Sequence, residues 1–212
     1  MCRTDGYPRG WGALERPRRC ATISAMTAAE ATSWAVRRVR ADEWRSAKKL
    51  RLDALRDPIA HLAFLERLDN ALQQPDITWR ARTEAGATGT HVGQFVAVDD
   101  RDMFIGSATA KIIAPGEADF LGEVRDVPRA DIVAVYVTPE QRGGGVIQRL
   151  LSEAEGWLRE NGVTQARLHV HEANVRAQQA YLKCGYADTG VRARLSEGVE
   201  LEMIHPLADG SA

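Results

Sequence analysis

The densest chemical signal in this sequence is Gln141-Arg142-Gly143-Gly144-Gly145. It follows an apolar run, I-V-A-V-Y-V from Ile132 to Val137, and precedes Val146, Ile147, Leu150, Leu151, Ala154 and Leu158 at helical spacing. A strand, a glycine turn and a helix start together form a device for an anion: the first-turn N–H groups have no helical acceptor, and the positive end of the helix dipole points the same way. Successive glycines clear side chains from that backbone. The spacing excludes two nucleotide devices. A phosphate loop, G-x-x-x-x-G-K-[ST], needs a lysine and a hydroxyl that this segment lacks. The dinucleotide fingerprint G-x-G-x-x-G would set its third glycine at 148, where Gln148 stands.

The elements around the glycine turn follow from periodicity. W-A-V-R-R-V from Trp34 alternates as a strand, and Asp42 then precedes Trp44, Ala47, Leu50 and Ala54 at helical spacing. After the Asp57-Pro58 break, Ile59, Leu62, Leu65, Leu68 and Leu72 share one face of a predicted second helix, closed by Gln73-Gln74-Pro75. Phe95 to Val98 and Met103 to Ile113 read as a hairpin through Asp99-Asp100-Arg101-Asp102, and 114–129 as a surface loop. Ile132 to Val137 is the fourth strand, buried on both faces and ended by Thr138-Pro139; a third helix runs from Val146 to a C-cap at Gly162. A fifth strand (Ala166 to His171), a fourth helix (Asn174 to Cys184) and strands Ala187 to Arg194 and Val199 to Pro206 complete an α/β (α+β) domain.

With 212 residues, the chain holds one domain, expected over 34–208. Residues 1–33, punctuated by Gly6, Pro8, Gly10, Gly12 and Pro17, read as a flexible leader. Met26 offers a natural start, which would make 1–25 an upstream extension. Hydrophobic residues at 44% and charged residues at 27% exclude a disordered chain. Lys and Arg number 28 against 29 Asp and Glu, a balance that excludes nucleic acid as partner, and no window approaches twenty apolar residues, so no membrane span is expected. Cys2, Cys20 and Cys184 show neither paired nor zinc-ligand spacing, which fits a cytoplasmic protein without a metal. His169 and His171 lack a third ligand.

V-Y-V-T-P-E-Q-R-G-G-G-V-I-Q-R-L-L at 135–151 resembles the central motif of the GNAT superfamily of acyl-CoA-dependent N-acyltransferases, Q/R-x-x-G-x-G/A. L-x-V-x-x-x-N-x-x-A-x-x-x-Y-x-x-x-G-Y at 168–186 resembles its second motif, with Asn174, Ala177, Tyr181 and Gly185-Tyr186 in place. The resemblance implies a mixed, mostly antiparallel sheet of about seven strands, splayed between strands 4 and 5 and flanked by about four helices. It implies acetyl-CoA as co-substrate, with an amine acceptor as the other partner. Val135, Tyr136 and Val137 would pair with the pantetheine arm through their backbone. Gln141, Arg142, Gly143, Gly144, Gly145, Val146 and Ile147 would hold the pyrophosphate, and Asn174 would bond cofactor or backbone. Homodimers are common in the family. An N-acetyltransferase is the expected activity, and an acyl-CoA-binding module without turnover is the alternative.

One position departs from the motif: its final small residue falls on Ile147, whose side chain is expected to turn into the core beside Leu151 and leave the N–H available. Acyl transfer requires a donor of a proton to the departing thiolate and an acceptor of one from the amine. In the family the tyrosine matching Tyr181 is commonly the acid, and a phenol with a reference pKa of about 10 is protonated at neutral pH. Asp131 is the candidate base, close to where several members keep an acid, with His171, Glu123 or a water relay as alternatives. Cys184 reads as packing, so transfer is expected to be direct, in a ternary complex. Glu117, Asp119, Glu123, Asp126 and Asp131 are expected to draw a cationic amine.

Overall fold

The computed structural model describes residues 33–119 and 121–207. The predicted leader lies outside them except for Ser33, as does residue 208. Seven strands, β1 (Trp34–Arg38), β2 (Val92–Asp99), β3 (Phe104–Ile113), β4 (Arg129–Val137), β5 (Gln165–His171), β6 (Ala187–Leu195) and β7 (Gly198–Pro206), form one sheet in the order β1-β2-β3-β4-β5-β7-β6. Every pairing is antiparallel except β4 with β5.

Five helices flank the sheet: α1 (Trp44–Arg56), α2 (Leu68–Gln73), α3 (Asp76–Thr88), α4 (Val146–Glu160) and α5 (Val175–Lys183). The sequence predicts four. The leucines of 59–72 do not form one helix; they divide into a 3-10 turn, Ala60–Leu62, and the six-residue α2. Tertiary contacts outweigh the local period here. Arg51 stacks over the Phe64 ring at 4.3 Å, and Glu66 is drawn to Arg51 and Arg82. Helix α3 was not predicted because its inward face is Trp79, Thr83 and Gly86, too polar and small to register as an apolar stripe. The signal it does carry is Pro75-Asp76 at its start. Gly86 is required there, since a Cβ would stand 2.6 Å from that of Gln94.

The main core lies between the sheet and the α4/α5 side. Val146, Leu150, Leu151, Ala154 and Leu158 are buried along α4, against Ile105, Ile132 and Leu168 of the strands. A smaller cluster joins Ala47 and Leu50 of α1 to Val96 and Val98 on the opposite face.

Two features open the sheet at its centre. The β4–β5 ladder has only two pairs, Ala130 with Ala166 and Asp131 with Arg167. In β4, Ala134 and Val135 together face Ala108, a bulge that sets Ala134 at φ +53°. A bulge bends its strand and increases the local twist, so β4 leaves β5 beyond Asp131. Leu150→Ala, at a fully buried position whose side chain fills the space above Gly106, is expected to lower unfolding free energy by about 2–5 kcal/mol, read from the denaturant midpoint.

Candidate active site

The opened strand pair borders a cavity of about 460 Å³. Of the residues expected to hold the cofactor, Val135, Tyr136, Val137, Gln141, Arg142, Gly143, Gly145, Val146, Ile147, Asn174 and Tyr181 line it; Gly144 does not. Gly143 and Gly145 take φ of +82° and +85°, values glycine adopts without strain, and Gly145 caps α4. A Cβ added at either would meet no atom within 4 Å, so the backbone concavity is open. With the first-turn amides of α4 at its edge and Arg176 and Lys183 among its lining, it fits a pyrophosphate. Ile147 is half-buried, packs against the core cluster and also lines the cavity.

Arg142 is turned inward: Nε donates to Val137 O at 3.0 Å and the guanidinium pairs with buried Asp57. The glycine turn is thereby tied to the segment after α1. Asn174 ties the same segment from the other side. Its Oδ1 accepts from Ala177 N–H at 3.2 Å, the helix cap that asparagine favours, and its Nδ2 donates to Leu62 O at 3.3 Å.

Tyr181 is 8% exposed, its ring 6.1 Å from that of Tyr186. Burial, then the nearby Cys184 and Glu200, push its phenol up, so it is a protonated donor at all physiological pH. Cys184 is half-buried with its thiol also raised by burial, the state of a packing residue.

None of Asp131, His171 and Glu123, the expected base candidates, lines this cavity. Asp131 sits at the closed end of the strand pair, buried, accepting from Arg167 Nε at 2.7 Å. Arg167 also holds Asp119 at 2.9 Å, and Arg129 holds Asp119 at 2.9 Å. Glu123 is exposed and paired with Arg125 and Arg129. Three of the five acids expected to draw a cation are therefore already neutralised. His171 has both nitrogens engaged: Nδ1 accepts from Ala173 N–H at 3.0 Å, so Nε2 donates to Glu197 O at 3.1 Å.

A second cavity of about 1140 Å³ lies on the α1/α3 face. Both cavities touch the middle of β4, Phe64, His169 and Glu200. Burial and the charge of Arg167 lower the His169 pKa, so its imidazole is neutral at pH 7. Burial raises the Glu200 carboxyl from its ordinary value. Glu200 was invisible in the sequence because the tail strands showed only alternation. The register of β7 on β5, Glu200 opposite His171, brings it to the opening.

The sequence profile of the Acetyltransferase (GNAT) family matches residues 47–186. The chain belongs to the GNAT acetyltransferase family. Acetyl-CoA is accordingly its co-substrate, and family membership supports acyltransferase activity. No curated protein matches the chain. Among solved structures, the fold is similar to a GNAT-family acetyltransferase from Streptococcus pneumoniae, at 14% identity and TM-score 0.65, covering 82% of this chain and 99% of that one. It is also similar to a GNAT phosphinothricin acetyltransferase from Sinorhizobium meliloti in complex with acetyl-CoA, at 20% identity and TM-score 0.62, covering 84% and 90%. The PaiA N-acetyltransferase of Thermoplasma acidophilum in complex with coenzyme A gives 17% identity and TM-score 0.63, covering 82% and 99%. Among the described residues of this GNAT protein, no helix is long and apolar enough to cross a membrane.

Burial alone would raise Asp57, but hydrogen bonds from Arg142 and the Ile59 N–H outweigh it and hold the carboxyl below its usual range. A depressed carboxylate gives stability that is complete above its unfolded pKa of about 4 and is lost as pH falls through the folded value. Asp57→Asn is expected to cost about 1–3 kcal/mol at pH 7 and to flatten the fall in stability below about pH 4, measured by denaturant titration across pH.

Proposed function

We propose that this protein is an N-acetyltransferase, passing the acetyl group of acetyl-CoA directly to a primary amine in a ternary complex. The observation that carries the reading is the meeting of the two cavities at the opened β4–β5 pair, where the Glu200 carboxylate lines both and the protonated Tyr181 phenol lines the first. The backbone of Val135, Tyr136 and Val137, facing the opening, suits an extended pantetheine arm; the glycine turn suits the pyrophosphate. Bound acetyl-CoA supplies an activated acyl thioester.

Tyr181 is the general acid and Glu200 the general base. As the C–N bond forms and the C–S bond breaks, Glu200 accepts a proton from the amine and Tyr181 gives one to the thiolate. Asp131 positions rather than reacts: with Arg167 it fixes the strand pair where the opening begins. The similar structures include a phosphinothricin acetyltransferase and a spermidine N-acetyltransferase from Vibrio cholerae in complex with CoA and spermine, so the fold alone selects no acceptor. The three cysteines, without paired spacing, support a cytoplasmic setting.

Thiol release from acetyl-CoA with a panel of primary amines tests the reading. Tyr181→Phe and Glu200→Gln are each expected to lower kcat by about 10²-fold with the acetyl-CoA KM little changed. Glu200 must be ionised to accept a proton, so wild-type activity should fall as pH drops through its pKa, which burial raises from the ordinary glutamate value. Glu200→Gln should lose that limb. An amine panel without turnover, in protein that binds acetyl-CoA, would favour a non-catalytic acyl-CoA-binding module.

A further inference from the structure

His171 takes no part in the chemistry above, yet it is buried and both its ring nitrogens are engaged by backbone groups. It ends β5. Its backbone oxygen accepts from Asn174 N–H at 2.8 Å and from Gln178 Nε2 at 3.1 Å, bonds that fix the start of α5 whatever side chain stands at 171. The ring has a different reach. Because the Ala173 N–H can only donate, Nδ1 accepts, and Nε2 carries the hydrogen given to Glu197 O at 3.1 Å. Glu197 lies in the short connection, Ser196-Glu197, between β6 and β7.

That connection borders the second cavity, which Leu195 and Glu197 line, whereas His171 itself lines neither cavity. Strand β6 is the edge of the sheet and is exposed along its length except at Ala193 and Leu195, which are half-buried. A turn at the end of such a hairpin has little besides its ladder to hold it. On β7 the ladder to β5 closes with Glu172 N–H donating to Val199 O at 2.8 Å, and the imidazole extends the hold back around the turn to Glu197. Gly198 shows how closely the ring approaches. A Cβ there would collide with His171 Nε2, and its φ of +143° is one that side chains rarely adopt.

Resting on the N-acetyltransferase reading, in which the second cavity receives the amine, we propose that His171 is a positioning residue for the acceptor. It does not touch the amine. It pins the β6–β7 turn to the end of β5 and so sets Leu195 and Glu197 on the cavity wall, beside the start of the strand that carries Glu200.

Asparagine separates the two ring bonds. Its Oδ1 stands where Nδ1 does and accepts from the N–H two residues on, the Asx arrangement, but its amide is too short to reach Glu197 O. His171→Asn therefore keeps the turn into α5 and cuts the tether. Ethanolamine, tyramine, lysine, spermidine and triglycine are run as acceptors, alongside acetyl-CoA calorimetry and thermal melts. For the amines that the parent protein acetylates, His171→Asn is expected to raise the amine KM by about two- to tenfold, the worth of one hydrogen bond, with kcat changed less and acetyl-CoA Kd unchanged. Gly198→Ala should raise the same KM in the parent protein and add less in the His171→Asn background. An unchanged amine KM in folded His171→Asn, a loss of acetyl-CoA affinity of the same size, or full additivity of the two substitutions would overturn the proposal. No turnover of any of these amines by parent protein that binds acetyl-CoA would instead overturn the acetyltransferase reading on which it rests.

Discussion

The structure depends on how β4 and β5 are held together and then released. Two ladder pairs join them, at Ala130 and Asp131, and at the second the Arg167 guanidinium bonds Asp131 across the strands while gripping Asp119 and Glu202. Burial disfavours a lone guanidinium, but the surrounding carboxylates outweigh it and raise Arg167 further, so this clamp stays charged. Such a buried network is costly to break at any one member, because the others are left charged and unpaired. One residue later the ladder ends, and the bulge at Ala134 carries β4 away. A parallel pair clamped at one end and open at the other leaves backbone groups facing a gap in the middle of the sheet, where an extended ligand can lie.

Every other part of the site is referred to that gap. Helix α4 leaves β4 through the glycine turn, so its N-terminus stands at one mouth. Helix α5 sets Tyr181 beside it from the core side, and β7, paired along β5, sets Glu200 beside it as well. The segment after α1 closes over it, fastened by Arg142 to Asp57 and by Asn174 to Leu62. The groups around the gap thus come from helices and strands, and the fasteners hold a segment that lines both cavities.

Much of this was legible in the sequence, for identifiable reasons. Val146 to Leu158 buries an apolar stripe, and the β4 run is apolar throughout, so periodicity found both; the glycine turn between them can be read from composition alone. The second helix misled because Leu65 and Leu72 keep a helical spacing yet stand exposed, while Arg51 and Glu66 decide the path of the chain. Helix α3 escaped because Thr83 and Gly86 face inward where apolar residues would be looked for. The places of Asp131 and Glu200 are ones only pairing can supply: the register sets one at the clamp and the other at the opening.

The central claim is that the opened strand pair and the glycine turn form an acetyl-CoA site. Calorimetric titration of acetyl-CoA and of CoA into the protein and into Gly145→Glu tests it most directly, with thermal melts to show that both are folded. A left-handed position adds about 1–2 kcal/mol of strain to any side chain, and the open space at Gly145 otherwise admits the glutamate, whose carboxylate would stand where phosphate oxygens approach. Saturable binding of both ligands to the parent protein, lost in the folded variant, is the predicted result. Absence of binding to the folded parent, or undiminished binding to Gly145→Glu, would contradict it.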